Sequence, residues 1–167
     1  MEIGLSLGSN LGNRLSNIQT ARDHINAIAN VRLSAQSPVY QTEPVGVSEP
    51  HKEKKFLNVF LILETECTVT DIFEETSAIE DSMGRKRTDN RFDPRIIDID
   101  IIFAGSTVTK TNTLTVPHSQ WRKRRFVLQP LRDLRPNLIL PEETQTVSDI
   151  LAKLPNTPIA ELFSTEW

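Results

Sequence analysis

The stretch of sequence that decides the fold is RFDPRIIDIDII, residues 91–102. Its second half alternates between apolar and acidic residues, which predicts a β-strand. One side of this strand would carry Ile97, Ile99, Ile101 and Phe103, and the other side Asp98 and Asp100. Two carboxylates two residues apart on a strand stand roughly 6–7 Å apart. Their charges repel by about 2–3 kcal/mol at an effective dielectric constant of about 20. Either water or a bound cation must offset that repulsion, and Mg²⁺ suits two carboxylates.

A basic segment precedes the two aspartates. Its cations are Arg85, Lys86, Arg87, Arg91 and Arg95, against Asp89 and Asp93, which leaves a local excess of three positive charges. Carboxylates that hold a cation, next to guanidinium groups that hold anionic oxygens, point to a metal-bound polyphosphate. The spacing alone is equally compatible with a solvated edge strand that follows a basic loop.

Length and composition narrow the classes of protein. The 167 residues suffice for one domain with a sizeable core, and we expect one domain over 1–167. The net charge of −3 argues against a general nucleic-acid binder, although residues 122–125 form a second basic run. The single cysteine, Cys67, excludes an internal disulfide. Because neither a signal peptide nor a long apolar run is present, we expect a soluble, cytoplasmic protein without a membrane partner. We also expect it to act as a monomer.

The order of the predicted elements indicates an α+β fold. The pattern predicts strands at 2–8, 31–40 and 56–64, then the Asp-x-Asp strand, with helices at 14–29 and from a capping box at 68–71 to Gly84. A long loop, 41–55, lies between two of the strands. This β-α-β-β-α-β order is that of a ferredoxin-like sandwich, an antiparallel sheet with helices on one face.

Residues beyond the Asp-x-Asp strand are predicted as C-terminal additions. They would comprise a helix over 119–134 that is interrupted near Pro130, a short strand at Leu138–Leu140 and a helix at 147–154. The second face of the sheet would then be free. That face would carry Phe56 and Asn58 beside Asp98 and Asp100. An aromatic ring and an amide can stack on and hydrogen-bond a planar heterocycle, although the same residues also fit an ordinary core position and a polar strand end.

Several motifs in a fixed order make the chain resemble the hydroxymethyldihydropterin pyrophosphokinase family over nearly its whole length. They are Gly8-Ser9-Asn10, the segment 40–46 (YQTEPVG), Phe56-Leu57-Asn58, Gly84-Arg85, the segment 94–100 (PRIIDID), Val116-Pro117-His118 and the segment 124–128 (RRFVL). The resemblance implies transfer of a pyrophosphoryl group from ATP to the hydroxymethyl group of 6-hydroxymethyl-7,8-dihydropterin. AMP and the pterin diphosphate would be released, in the biosynthesis of tetrahydrofolate.

The resemblance also implies roles for individual residues. Two Mg²⁺ ions would be held by Asp98 and Asp100, and the pterin ring would be contacted by Thr42, Val45, Phe56, Asn58 and Phe126. The catalytic set would comprise Arg85, Arg87, Arg95, Asp98, Asp100 and Arg124. ATP would contact Glu80, Arg87, Phe92, Arg95, Ile101, Leu114, Thr115, His118 and Arg124. Metals and arginines suffice for phosphoryl transfer, so no dedicated general base is expected.

Two rival functions stay open, and the first of them rests on departures from the family pattern. Asp93, Ser77, Phe92 and Ser119 stand where members of the family commonly carry other residues. Asp93 adds a negative charge near the expected phosphates and favours a weakly active homologue that serves as a binding partner. The other rival is an RNA-binding module of the same fold class. Its basic-aromatic strand consensus is absent, and paired aspartates would repel phosphate in the absence of a metal.

Overall fold

The computed structural model describes residues 1–44, 54–84 and 95–167. Within these ranges the protein is an α+β structure of an antiparallel sheet and four α-helices. The strands are β1 (Glu2–Ser9), β2 (Val31–Gln36), β3 (Val39–Thr42), β4 (Phe56–Thr65), β5 (Asp98–Ala104), β6 (Thr109–Lys110), β7 (Thr115–Val116) and β8 (Ala160–Ser164). The helices are α1 (Arg14–Asn26), α2 (Val69–Ser82), α3 (Arg125–Leu134) and α4 (Val147–Lys153), with a short 3-10 helix at Trp121–Lys123. None of these helices is long and apolar enough to span a bilayer.

The main sheet brings the Asp-x-Asp strand close to the strand that carries Phe56 and Asn58. Its strand order is β5-β1-β4-β3-β8, with β2 also paired to β4, and β6 and β7 form a separate ribbon. Every pair in the sheet is antiparallel. The central strand β1 therefore joins the Asp-x-Asp strand on one side to the strand with Phe56 and Asn58 on the other.

The first face of the sheet is apolar along its whole length and is covered by α1 and α2. Alternate residues of β1, including Leu5 and Leu7, pack with Ile18 of α1 and Ile72 of α2, all fully buried. The predicted capping box is confirmed, because the Thr68 side chain and Asp71 exchange bonds with each other's backbone N–H groups. These helices pack there because their apolar residues recur at helical spacing.

The second face is only partly open, so the prediction that it is free is wrong for one half. A second core cluster forms there between the sheet and α3, α4 and the 3-10 helix. Its buried members include Phe60, Ile62, Ile102, Phe103, Trp121, Val127, Leu128, Leu131, Leu140, Val147, Ile150 and Leu151. The apolar stripe of α3 requires a partner surface, and this half of the sheet supplies it.

Phe103 lies on the face opposite to the one predicted. The register between β1 and β5 shifts between Gly4 and Leu5, so that Leu5 pairs with Ile101 but Gly4 with Phe103. An extra residue in one strand reverses the side-chain alternation beyond it. The Phe103 ring stacks near Phe60, with centroids 6.4 Å apart, directly over Gly4. A Cβ atom at Gly4 would lie 2.2 Å from Phe103 Cε1, so only glycine fits beneath this ring.

The predicted strand at 31–40 is two strands, interrupted at Ser37-Pro38. Proline has no backbone N–H with which to continue a ladder. The Ser37 hydroxyl instead accepts a hydrogen bond from the backbone N–H of Phe60 at 2.9 Å. This N–H of the neighbouring strand β4 therefore keeps a partner at the break. The predicted extent of the first helix is also too long, because α1 ends at Asn26.

The C-terminal region differs most from prediction. The predicted interruption near Pro130 is wrong, because helix α3 runs through this residue. Pro130 is buried, and α3 packs against β4. No strand forms at Leu138–Leu140, since Leu140 packs into the second core cluster. The helix predicted at 147–154 is confirmed as α4, but it is followed by β8, which the sequence analysis missed. Side chains at 161–163 of β8 are exposed, so the strand lacks the buried alternation that identifies strands in a sequence.

Candidate active site

The two aspartates lie on the second face, in the half that α3 and α4 leave uncovered. Asp98 pairs across the ladder with Gly8, and Asp100 with Ser6. Gly8 in turn pairs with Asn58 of β4. The row Asp98–Gly8–Asn58 therefore runs across three strands, and the glycine leaves space between the carboxylate and the amide. The predicted grouping of Asp98, Asp100, Asn58 and Phe56 on one face agrees with this register.

Two arginines neutralise the aspartates. Arg95 Nη1 lies 2.9 Å from Asp98 Oδ2, and Arg124 Nη1 lies 3.0 Å from Asp100 Oδ2. About a quarter of the Asp98 side chain and a third of the Asp100 side chain remain exposed. The carboxylates can therefore be reached from solvent, and their guanidinium partners hold positive charge at the same place.

The environment acts on the pKa of Asp100 in opposing directions. Burial is the largest influence and raises this pKa. The negative charge of Asp98 raises it further, while His118 and Arg124 lower it. The net direction is upward. A carboxyl group whose ionisation is opposed in this way gains from a nearby cation, because the cation favours its charged form.

His118 is held as a neutral hydrogen-bond donor. Burial lowers its pKa, which outweighs the attraction of Asp100. Its Nδ1 atom accepts the backbone N–H of Gln120 at 3.1 Å, so in the neutral ring the proton resides on Nε2. Nε2 lies 4.0 Å from Asp100 Oδ2. The ring thus directs an N–H group to the same side as the two aspartates.

An amide and an aromatic ring form the other end of the cleft. The Asn58 side chain is 3% exposed and donates from Nδ2 to Thr42 Oγ1 at 2.8 Å. Phe56, at the start of β4, is half-buried on the same face. Phe126 is half-buried at the start of α3, and the Arg124 guanidinium lies 5.6 Å from its ring centroid. Arg124 therefore lies against both Asp100 and the Phe126 ring, which packs at the edge of the second core cluster.

Asn10 is a site residue to which the sequence analysis gave no role. Its Oδ1 accepts the backbone N–H of Arg95 at 2.7 Å, and its own N–H donates to the Arg95 carbonyl at 3.2 Å. Asn10 is 7% exposed. These two bonds fix the backbone of Arg95 to the end of β1. The available signal was an asparagine directly after a strand with glycines on both sides, a pattern typical of side chains that bond to the backbone.

Two of the residues expected to contact ATP have their side chains buried elsewhere. The Ile101 side chain is 5% exposed and belongs to the core cluster on the first face. Glu80 is 5% exposed, and its Oε1 accepts the backbone N–H of Ile99 at 2.7 Å. Leu114 packs at the edge of the same core, and Thr115 belongs to the β6–β7 ribbon. Contacts of these residues with ATP stay a prediction.

The remaining predicted site residues are Val45, Arg85, Arg87 and Phe92, which lie outside the described residues. Among the residues that the structure does describe, no group of three or more His, Cys, Asp or Glu side chains converges on one point. That observation is compatible with magnesium, which in nucleotide sites is commonly held by one or two carboxylates together with substrate phosphates. The oxygen donors and mutual repulsion of Asp98 and Asp100 fit such an ion.

This arrangement defines a class of site: a carboxylate pair with arginines at one end of an open sheet face, and an amide with an aromatic ring at the other. Such a site suits an enzyme that brings a metal-bound polyphosphate to a planar ligand. The family model described as 7,8-dihydro-6-hydroxymethylpterin-pyrophosphokinase matches residues 4–136. The chain therefore belongs to this family of ATP-dependent diphosphotransferases.

Individual relatives agree with this assignment. The chain is 37% identical over 158 residues to the 2-amino-4-hydroxy-6-hydroxymethyldihydropteridine pyrophosphokinase of Pseudomonas aeruginosa, covering 95% of this chain and 94% of that protein. It is 36% identical over 155 residues to a folic acid synthesis protein of Schizosaccharomyces pombe. That alignment covers 93% of this chain but only 21% of the yeast protein.

Solved structures show the same fold at low sequence identity. A Plasmodium falciparum HPPK-DHPS structure with pteroate superposes with a TM-score of 0.69 at 15% identity. The match covers 91% of this chain and 42% of the Plasmodium chain. This chain thus corresponds to one portion of the longer proteins and to nearly the full length of the bacterial one.

Proposed function

We propose that this protein transfers a pyrophosphoryl group from ATP to the hydroxymethyl group of 6-hydroxymethyl-7,8-dihydropterin. The products are AMP and the pterin diphosphate, in the biosynthesis of folate. One observation carries the proposal: the row Asp98–Gly8–Asn58 places a carboxylate suited to metal-bound phosphate and a buried amide on one open face, separated by one glycine. The family membership supports the same reaction.

The pterin binds at the amide end. Phe56 and Phe126 stack on its two faces, Asn58 hydrogen-bonds its polar edge, and Thr42 and Val45 line the pocket largely through backbone atoms. The support is the half-buried state of both rings and the near-complete burial of Asn58, which excludes water from competing for its hydrogen bonds. This orientation points the hydroxymethyl group of the pterin toward the aspartates.

The triphosphate of ATP binds at the acidic and basic end. Asp98 and Asp100 would hold two Mg²⁺ ions, which would supply charge neutralisation and Lewis-acid catalysis at the triphosphate. Arg85, Arg95 and His118 face the phosphates, and Arg87 and Arg124 act on the transferring group. Arg95 and Arg124 exchange their carboxylate partners for oxygens of the triphosphate. Guanidinium groups already aimed at Asp98 and Asp100 need little reorganisation for this exchange.

His118 assists as a donor and not as a general base. Its lowered pKa keeps the ring neutral, and its Nδ1 atom is occupied by the Gln120 N–H. The Nε2 hydrogen is therefore directed at a phosphate oxygen beside Asp100. Phosphoryl transfer depends chiefly on positioning and charge stabilisation, so the site works without a strong base. Glu80, Phe92, Ile101, Leu114 and Thr115 complete the ATP site, through main-chain atoms in the case of Ile101.

We also propose that residues 1–167 fold as one ferredoxin-like domain. The support is that β1, α1, β2 with β3, β4, α2 and β5 follow the β-α-β-β-α-β order, and that β1 lies between β4 and β5. The protein acts as a monomer in the cytoplasm, on small-molecule substrates and without nucleic acid.

The test is release of AMP from ATP and Mg²⁺, measured with and without 6-hydroxymethyl-7,8-dihydropterin. AMP that appears only with the pterin supports the proposal. Binding of both ligands without AMP would instead identify an inactive homologue. Absence of both AMP and pterin binding would refute the proposed function altogether.

A further inference from the structure

The hydrogen bond between Asn58 and Thr42 is almost completely shielded from water. Thr42 is 4% exposed and Asn58 is 3% exposed, and Nδ2 of the amide lies 2.8 Å from Oγ1 of the hydroxyl. The two residues are diagonal neighbours on adjacent strands, since Thr42 pairs with Phe56 and Tyr40 with Asn58. Removing one partner of a buried polar pair of this kind costs much more free energy than removing one partner of an exposed pair.

This bond fixes which end of the Asn58 amide faces the cleft. A carboxamide has two N–H donors on one side and one acceptor oxygen on the other. Because the nitrogen is directed to Thr42 on β3, the oxygen is directed to β1. There Oδ1 lies 3.3 Å from the position that a Cβ atom would take at Gly8. The acceptor oxygen of Asn58 therefore lies on the side of the amide that faces Gly8 and Asp98.

The hydroxyl that sets this orientation is itself held firmly. The backbone of Thr42 pairs with Phe56 of β4 on one side and with Ala160 of β8 on the other. A β-branched side chain on a strand also has few accessible χ1 rotamers. Strand β8 thus converts what would be an edge position into an interior one, which limits movement of the Thr42 backbone and keeps the hydroxyl close to Asn58.

We infer that the Thr42 hydroxyl is a specificity-determining positioning group: it orients the Asn58 amide so that the pocket presents an acceptor to the ring N–H donors of the substrate. The 2-amino-4-oxo edge of a pterin offers such donors. A heterocycle of the same size without N–H donors leaves the buried oxygen unpaired and is rejected. This inference rests on the proposed function and adds the group that determines recognition in its pterin site.

The experiment compares Thr42→Val with Thr42→Ser in the full chain. The ligands are 6-hydroxymethylpterin and 2-hydroxymethylquinoxaline, a bicyclic ring without those N–H donors, titrated by calorimetry. Thr42→Val should weaken pterin binding by about tenfold, because the amide is no longer held in one orientation. It should leave the weak quinoxaline binding as it is, so the preference for pterin falls by the same factor. Thr42→Ser keeps the hydroxyl and should retain most of the preference.

Two controls separate orientation from general loss of structure. Thr65, at the other end of β4, is also buried and donates from Oγ1 to the Asn30 carbonyl at 2.8 Å. Thr65→Val removes an equivalent hydroxyl and should lower the unfolding temperature without changing the pterin preference. In an Asn58→Ala background, adding Thr42→Val should cause no further loss of pterin affinity, since Thr42 acts through Asn58.

Several results would overturn the inference. They are an unchanged pterin preference in Thr42→Val, an equal loss in Thr42→Ser, and a further loss of affinity in the Asn58→Ala background. Failure of the proposed function has a different signature: the unmodified protein would neither bind the pterin nor release AMP in its presence.

Discussion

Gly4 and Gly8 lie on the same strand and on the same side of the sheet, yet the space above them is used in opposite ways. Above Gly4, the rings of Phe103 and Phe60 occupy the volume that a side chain would fill. Above Gly8, the nearest side-chain atom is the Asn58 oxygen, at 3.3 Å from the Cβ position, followed by Phe56 Cδ1 at 3.7 Å. One glycine completes a core, and the other maintains a cleft.

The difference shows how one sheet face serves both stability and function. At the Gly4 end, α3 and α4 cover aromatic and aliphatic side chains and contribute to folding. At the Gly8 end, Asp98 and Asp100 repel each other and stay partly exposed beside their arginines, so they contribute little to folding. The covered half stabilises the sheet on which the polar half is displayed, and changes in the two halves should therefore have separable effects.

The largest effect is expected from the carboxylates. Asp98→Asn and Asp100→Asn should each lower Mg²⁺-dependent turnover by about 1,000-fold or more, because each variant removes a negative ligand charge needed for the metal-bound phosphates. AMP release at saturating substrates measures this. Asp149→Asn, which alters an exposed capping carboxylate on α4, is the matched control and should turn over normally. Near-normal rates in Asp98→Asn or Asp100→Asn would exclude that residue from the metal site.

Gly4→Ala should have the largest effect on stability. The new methyl group would meet Phe103 and Phe60 at 2.2 and 2.8 Å, so the stacked rings must move within a close-packed cluster. We expect a loss of about 3 kcal/mol in the free energy of unfolding. Denaturant titration measures it. Stability equal to that of the unmodified protein would mean that this half of the face is not tightly packed.

Gly8→Ala should show the reverse pattern. The contacts at 3.3 and 3.7 Å are tolerable, so the free energy of unfolding should change by less than about 1 kcal/mol. The methyl group intrudes beside the Asn58 oxygen, however, and pterin affinity should fall by about tenfold, equivalent to about 1.4 kcal/mol. If Gly8→Ala destabilises the fold as strongly as Gly4→Ala and leaves pterin affinity intact, the distinction between the two ends is wrong.

The smallest effect is expected from Asp71, in the capping box of α2. Hydrogen bonds from Thr68 lower the pKa of Asp71 in the folded protein. A group with a lowered folded-state pKa contributes stability above its unfolded pKa and loses that contribution as the pH falls through its folded pKa. Asp71→Asn should therefore be slightly less stable at neutral pH, with the deficit shrinking in acid. Unfolding curves at several pH values measure it, and pterin affinity should be unchanged throughout.

Much of the site could be inferred from the sequence because its residues are close along the chain or lie on regular strands. Alternation in β4 and β5 put Asn58 and the two aspartates on one face, and antiparallel pairing through β1 then placed Asn58 and Asp98 in one row, with Asp100 beside them. The positions of Phe103, Asn10 and β8 could not be inferred in the same way. A bulge, a side-chain bond across the end of a strand and an exposed strand leave almost no periodic signal.

The sequence by itself determined the alternating strands, the capping box of α2 and the closeness of a basic segment to the two aspartates, since these depend on local spacing and residue type. The tertiary structure decided which half of the second face is covered, where Glu80 is buried and which way the Asn58 amide points. Those outcomes depend on contacts between residues far apart in the chain, such as Thr42 with Asn58 and Phe60 with Phe103. Such contacts exist only once the competing apolar surfaces have been packed.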